Sequence, residues 1–388
     1  MILIILLWFL TGFFSFGILG LNFLVMKKVS EKPWNLKKDE TYRPRISIIV
    51  PTYNEEPIIL LKLRNLIKIN YPKELTQIIV VDSNSSDGTV GLIQDFMRQN
   101  TDCNIELIIE NSRRGKSAAL NEALKSCKGD IVIVSDADCF LPQDILKRTL
   151  PFLSDPSIGA ISGPKEILNV KSSRVVAAEK SYLNSMNLIK LGESKIYSTI
   201  LFEGGFSAFK KDVIRSFDPF NTGSDDCGSI IDVIRQGYRA IMLPEGVFFT
   251  SFPITWKERF EMKIRRAGQL VKVLKKYVKL LIRNEIKNKR AKLIIFKNIL
   301  LYVVSPMLFP LFILCSVYLA LAYPQSVLIL FTFFIPKLRA YLVEAIFGFA
   351  ILIVAIFLCL AKKNFSIWKI SSDRILLSER VLVQKGLL

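Results

Sequence analysis

Two acidic clusters have residue types and spacing suited to catalysis. Asp136-Ala137-Asp138 ends the apolar run DIVIVSD. Two carboxylates spaced i, i+2 beyond a strand end can share a divalent ion, and Mg2+ or Mn2+ takes hard oxygen ligands. Ser224-Asp225-Asp226 precedes GSIIDVIRQGYRAIMLPEG, which reads as an amphipathic helix, a turn at Gly237 and a strand. Two uses stand open for this second cluster. Asp is a good helix cap, and a carboxylate aimed into a cleft can take a proton from an incoming hydroxyl as general base.

Three further stretches are polar where a buried strand ends. PTYNEE (51–56) follows ISIIV and contains Pro51, Thr52, Tyr53 and Glu55. Asp82 opens DSNSSDGT after QIIVV; this run also suits an ordinary turn, since Asp, Asn, Ser and Gly are turn residues. Arg113-Arg114-Gly115-Lys116 leads into SAALNEAL. It reads either as a solvated basic turn or as an anion site, with backbone N–H groups and the helix dipole assisting Lys116. The GxxxxGK[ST] spacing of a Walker loop is absent.

Positioning these groups requires strands. Apolar runs at 46–50, 77–82, 105–110, 130–136 and 158–163 alternate with helical stretches near 57–70, 88–99, 116–127 and 142–153. Near-continuous apolar strands separated by helices predict an α/β fold, a mostly parallel sheet with helices on both faces. Ligands of such sheets bind at the carboxyl ends of the strands, which is where PTYNE, Asp82 and the Asp136/Asp138 pair fall.

Composition narrows the chemistry. The chain of 388 residues has no histidine, which excludes histidine triads and histidine metal sites. Its six cysteines, at 103, 127, 139, 227, 315 and 359, form no CxxC, so neither a zinc site nor a disulfide framework is expected. The net charge is +19, which asks for an anionic partner. Residues 1–26 carry no charge and are followed by Lys27 and Lys28. Lysines after rather than before the apolar run predict a retained transmembrane helix with Lys27 on the cytoplasmic side. Runs at 298–323 and 341–361 predict two more spans, and 326–335 is either a re-entrant segment or a third helix. Glu344 inside the last span demands a partner or an interfacial depth.

Between the soluble middle and these spans, residues 257–292 hold fourteen Lys/Arg against three Glu. Phe260, Ile264, Ala267, Leu270, Leu274, Tyr277 and Leu281 recur at helical spacing. That pattern predicts a basic amphipathic helix on a membrane surface, with nucleic acid rejected as partner because transmembrane runs adjoin it. The expected organisation is an N-terminal span at 1–26, a catalytic domain at 40–250, interfacial helices at 251–295, a membrane region at 296–361 and a cytoplasmic tail at 362–388.

The ordered set PTYNE, Asp82, GKSAALN, DAD, EGGFSAFKKDVI (203–214) and SDD with IRQGYRAIMLPE resembles a family-2 glycosyltransferase of the membrane-bound kind, similar to cellulose and hyaluronan synthases. The resemblance implies a GT-A fold binding a nucleotide sugar and an inverting displacement. Pro51, Thr52, Tyr53, Glu55, Asp82, Lys116 and Asp136 would hold the nucleotide, and Arg265 would reach its diphosphate. Asp138 would ligate Mg2+ or Mn2+, and Asp226 would be the base. Gly204, Gly205 and Asp225 would lie on the acceptor side. The QxxRW of processive synthases is replaced by Met262-Lys263-Ile264-Arg265-Arg266, without the Gln or the Trp. The expected enzyme is an integral protein of the cell membrane with a cytoplasmic catalytic domain. It transfers sugar from a nucleoside-diphosphate donor, a UDP-sugar by expectation, to a hydroxyl of a lipid-linked or glycan acceptor. A polyprenyl-phosphate acceptor and a non-catalytic scaffold are the alternatives.

Overall fold

The computed structural model of the chain describes residues 2–325, 336–362, 374 and 376–388. The apolar run 326–335 and Lys363 lie outside the described residues. Among the described residues nine strands form: β1 (Ile46–Thr52), β2 (Thr76–Asp82), β3 (Ile105–Ile109), β4 (Ile131–Val134), β5 (Ile158–Ser162), β6 (Lys165–Ile167), β7 (Ser207–Lys210), β8 (Arg239–Met242) and β9 (Phe248–Thr250). Seven make one sheet in the order β3-β2-β1-β4-β7-β5-β8, and β6 pairs with β9. β1, β2, β3 and β4 run parallel, whereas β7 enters antiparallel between β4 and β5.

The period-2 alternation of β-branched residues feeds two cores. Ile49, Ile79, Val81, Val132 and Val134 face one side with Ala119, Leu120 and Ala123 of helix Lys116–Ser126. Ile48, Val50, Ile78, Val80 and Ile133 face the other, with Leu63 and Leu66 of helix Ile59–Ile67 and Ile93 and Phe96 of helix Thr89–Gln99. Helices therefore cover both faces, as a buried parallel sheet requires. The helix expected at 142–153 is α-helical only over Ile145–Thr149 and continues as a 3-10 turn, Leu150–Ser154. Pro151 lacks the N–H that an α-helix needs there.

Among the described residues, three helices are long and apolar enough to cross a membrane: Ile2–Ser30, Lys289–Ala322 and Tyr341–Leu360. The first two each contain a π-helical segment, Phe13–Gly17 and Leu300–Val304. Carbonyls loosened at such a segment need donors. Ser305 Oγ donates to Phe14 O and Tyr341 Oη to Phe16 O, both at 2.7 Å, so the three helices are bonded together at this level. The N-terminal helix also packs on helix Arg174–Ile196, where Gly192 lies against Met26. Glu344 finds its partner in Arg259, at 3.5 Å.

The basic stretch differs from expectation. Helix Trp256–Ile282, capped by Thr255, ends before Asn284, whose φ is +54°. A second helix starts at Lys289 and runs unbroken to Ala322, so residue 296 falls inside it. The apolar stripe is covered by protein rather than left for lipid. Val273, Leu274, Tyr277 and Leu280 enter the core of the sheet domain, and Ala267 packs on Ile351, Leu352 and Ala355 of the third apolar helix. The tail is not free either. Leu377, Leu382 and Leu387 bury against Ile58 and Phe140, and Asn65 Nδ2 donates to Leu387 O at 2.7 Å. The sequence reading places 362–388 as a cytoplasmic tail on the strength of Lys362 and Lys363 and draws nothing from these leucines.

Candidate active site

The strand ends deliver their polar groups to one edge. β4 stops at Val134, and its loop carries Asp136, Asp138 and Cys139, whose ligand atoms lie within 4.8 Å of one another. Beneath that loop sits Lys62, fully buried, its ammonium donating to Ser135 Oγ at 2.6 Å and Cys139 O at 2.5 Å. Gly115, with φ of +100°, turns the chain into the helix that begins with Lys116; only glycine adopts that conformation without strain. Lys116 Nζ then bridges Asp136 at 2.6 Å and Asp225 at 2.7 Å. Burial would lower its pKa, but the two carboxylates reverse the sign and hold it above the ordinary lysine value.

Asp225 and Asp226 arrive from the other half of the chain, just ahead of helix Ser229–Arg235. Asp226 Oδ1 accepts from the Ser224 hydroxyl and the Cys227 N–H. Its Oδ2 has no hydrogen-bond donor among the described residues. A Cβ placed on Gly204 would lie 3.1 Å from Lys116 Nζ, 3.4 Å from Asp225 Oδ2 and 3.5 Å from Asp226 Oδ2. Only a residue without a side chain leaves that junction open. Gly205 is equally confined, with Phe248 Cε2 only 2.2 Å from a Cβ there. Burial raises the Asp225 pKa to about 6; Lys116 opposes the rise, and Asp226 and Asp136 add to it.

Arg374 comes from the docked tail, and the sequence reading assigns it no site role. Its Nη1 donates to Asp138 Oδ2 at 2.5 Å, while Nε and Nη2 fork onto Glu55 at 2.9 and 3.1 Å. Burial would raise the Asp138 pKa, but Arg374 and the Cys139 thiol beside it bring it down to about 2. Burial, with the nearby acids, keeps the Cys139 thiol well above its usual range, so it stays protonated. A carboxylate set already holding a cation fits a hard divalent ion.

These groups line one cavity of about 1,140 Å³. Lys116, Asp136, Asp138, Gly204, Gly205, Asp225, Asp226 and Arg265 all face it. The cavity continues past Glu179, Tyr182 and Arg266 to Phe23, Tyr302 and Leu352 of the three apolar helices. Pro51, Thr52, Tyr53 and Asp82 are not among the lining residues. Thr52 and Asp82 pair across β1 and β2, and the loops beyond them brace each other. Asp82 accepts from the Ser85 N–H and hydroxyl, Asn54 N–H donates to Ser85, and Glu56 accepts from Gly88 N–H. The Tyr53 ring stacks on Arg113 at 3.7 Å. Much of the polarity of PTYNEE and DSNSSDGT is thus spent on loop architecture.

The sequence reading missed two buried ion clusters on the cavity wall. Glu203 accepts from both Lys190 and Lys165. Glu179 accepts from Arg259 at 3.0 Å and Lys263 at 2.9 Å. The residues stand far apart in sequence, and no local spacing announces them.

Comparison with known proteins agrees with this geometry. The family described as Glycosyl transferase family 2 matches residues 47–217. "Probable glycosyltransferase YdaM" of Bacillus subtilis is 28% identical over 243 residues, covering 60% of this chain and 57% of that protein. "Beta-monoglucosyldiacylglycerol synthase" of Synechocystis is 33% identical over 167 residues, covering 42% of this chain and 34% of that protein. These matches span about a third to just over half of the curated relatives' length. A solved mannosyltransferase, PcManGT of Pyrobaculum calidifontis in complex with GDP-Man and Mn2+, is 30% identical, covers 93% of this chain and all of that one, and superposes with a TM-score of 0.79. By its sheet order, its converging carboxylates and these matches, the chain belongs to glycosyl transferase family 2.

Proposed function

We propose that the chain is an inverting, divalent-cation-dependent glycosyltransferase. It moves a sugar from a nucleoside-diphosphate donor to a hydroxyl of a lipid-linked or membrane-proximal acceptor. One observation carries the reading: Asp136, Asp138, Asp225 and Asp226 open onto a single cavity whose far wall is made of apolar helices. The GDP-Man and Mn2+ of the Pyrobaculum enzyme support a nucleoside-diphosphate donor here, guanosine as well as uridine.

Asp226 is the base. Its Oδ1 is fixed by two donors and its Oδ2 is left for the acceptor proton. The acceptor oxygen bonds to the anomeric carbon, its proton passes to Asp226, and the bond to the diphosphate breaks with its electron pair. A carboxylate base contributes about 10²–10⁴-fold. Asp138 and Asp136 would hold Mg2+ or Mn2+, which supplies positive charge at the departing oxygen. Lys116 and Arg265 add fixed cations on the same wall. The catalytic domain faces the cytoplasm on this reading, because Lys27 and Lys28 follow the first apolar helix. The tail docks on that same domain, so the reading puts both on one side of the membrane.

The test is a donor screen with the full chain in nanodiscs, scoring products by mass, with Asp226→Asn alongside. Metal-dependent transfer by the wild type and a loss of about 10²-fold or more in the variant are expected. A phosphate nucleophile would need no base, so near-wild-type transfer by Asp226→Asn overturns the hydroxyl acceptor. No hydrolysis or transfer from any UDP- or GDP-sugar overturns the whole reading.

A further inference from the structure

We infer that Arg266 is the anchor for a phosphate ester on a lipid acceptor. This rests on the transferase reading above and narrows its acceptor class. Arg266 lines the cavity and its side chain is exposed there. Among the described residues no hydrogen bond or ion pair engages its guanidinium, and the acids whose field reaches it are Glu203, Glu179 and Asp226. The first two are already taken. Lys190 and Lys165 share Glu203, and Arg259 and Lys263 share Glu179. Glu344 also meets Arg259, so these five cations face three carboxylates, and among the described residues Arg266 is the one of the five with no acid in contact.

Its place along helix Trp256–Ile282 says what kind of anion it meets. On one side, Arg265 lies in the field of Asp225, Asp226 and Asp136. On the other, Ala267 packs on Ile351, Leu352 and Ala355 of the third apolar helix. Arg266 stands where the acidic end of the cavity meets its apolar end. A molecule filling both needs a hydroxyl for Asp226, an anion for Arg266 and a hydrocarbon chain between the helices. A lipid carrying its sugar through a phosphate has those three parts in that order. A guanidinium matches phosphate with paired, charge-assisted hydrogen bonds, and an apolar surround strengthens them.

Binding without donor separates this inference from the transferase reading. Full-length protein in phosphatidylcholine nanodiscs is titrated with farnesyl phosphate and with farnesol, for the wild type, Arg266→Gln and Arg266→Lys. The wild type should bind the phosphate ester about tenfold or more tightly than the alcohol. Arg266→Gln should erase most of that ratio while leaving farnesol affinity in place, and Arg266→Lys should retain part of it. Equal affinities in the wild type, or an unchanged ratio in Arg266→Gln, overturn the inference. A parallel series in phosphatidylglycerol nanodiscs identifies the source. If bulk headgroups compete away farnesyl phosphate, the site holds bilayer phospholipid; if not, it selects an acceptor. Phosphate-dependent binding without turnover of any donor would keep the anchor and remove the transferase.

Discussion

At the scale of single residues, the candidate base and its neighbour divide their work. Asp226 is oriented by Ser224 and Cys227, whereas Asp225 is held by Lys116. The charged groups acting on Asp225 are Lys116, Asp226, Asp136 and, from helix Trp256–Ile282, Arg265. With its pKa raised to about 6, Asp225 is ionised and paired at pH 7.5, and it takes a proton as the pH falls through that value. Transfer by the wild type should therefore show an acid limb centred near pH 6. Asp225→Asn, neutral at every pH, should lack that limb in a rate-against-pH profile; a limb shared by both proteins counts against this role. These acidic residues were legible because each stands beside a strand end or helix start with its own local pattern. Arg374 was not. Its partners Glu55 and Asp138 lie more than two hundred residues away, and only the return of the tail brings them together. Asp82 reads from the sequence either as a nucleotide contact or as a turn residue, and its carboxylate accepts from the Ser85 N–H and hydroxyl. Residue type alone does not separate those two uses.

At the scale of elements, strands and helices of the sheet domain were readable from periodicity, whereas the insertion of β7 was not. Its four residues, SAFK, carry too little alternation to stand out, and antiparallel pairing with β4 and β5 is a tertiary choice. The helix at 256–282 was readable as a helix, but its surroundings were not, because an apolar stripe looks the same whether lipid or protein covers it. A fully buried Arg259 on Glu179 fixes that helix to helix Arg174–Ile196. Losing one partner of such a pair costs about 3–5 kcal/mol. The same helix Arg174–Ile196 receives the N-terminal helix at Gly192, where a Cβ would come within 2.6 Å of Met26 O. Gly192→Val should lower stability by about 1–3 kcal/mol through overpacking. Thermal unfolding in detergent checks this, with Gly91→Val as the control, since nothing lies within 4 Å of a Cβ at Gly91. Equal midpoints for the two variants would show that the contact has slack.

At the scale of the whole molecule, the three apolar helices are part of the site. Phe23, Tyr302 and Leu352 belong to three different apolar helices and line the cavity that reaches Asp226. The apolar helices were plain from hydropathy, but their share in the cavity wall was not, since hydropathy says nothing of which face a helix turns inward. With the lipid-linked acceptor proposed above, a chamber walled in part by these apolar helices would take its substrate sideways, from within the sheet of lipid. The unit of concentration that governs turnover is then crowding in two dimensions, not molarity. Diluting the acceptor with inert lipid at constant total acceptor should slow the reaction in proportion to its mole fraction. Adding buffer at constant mole fraction should leave the rate per enzyme unchanged.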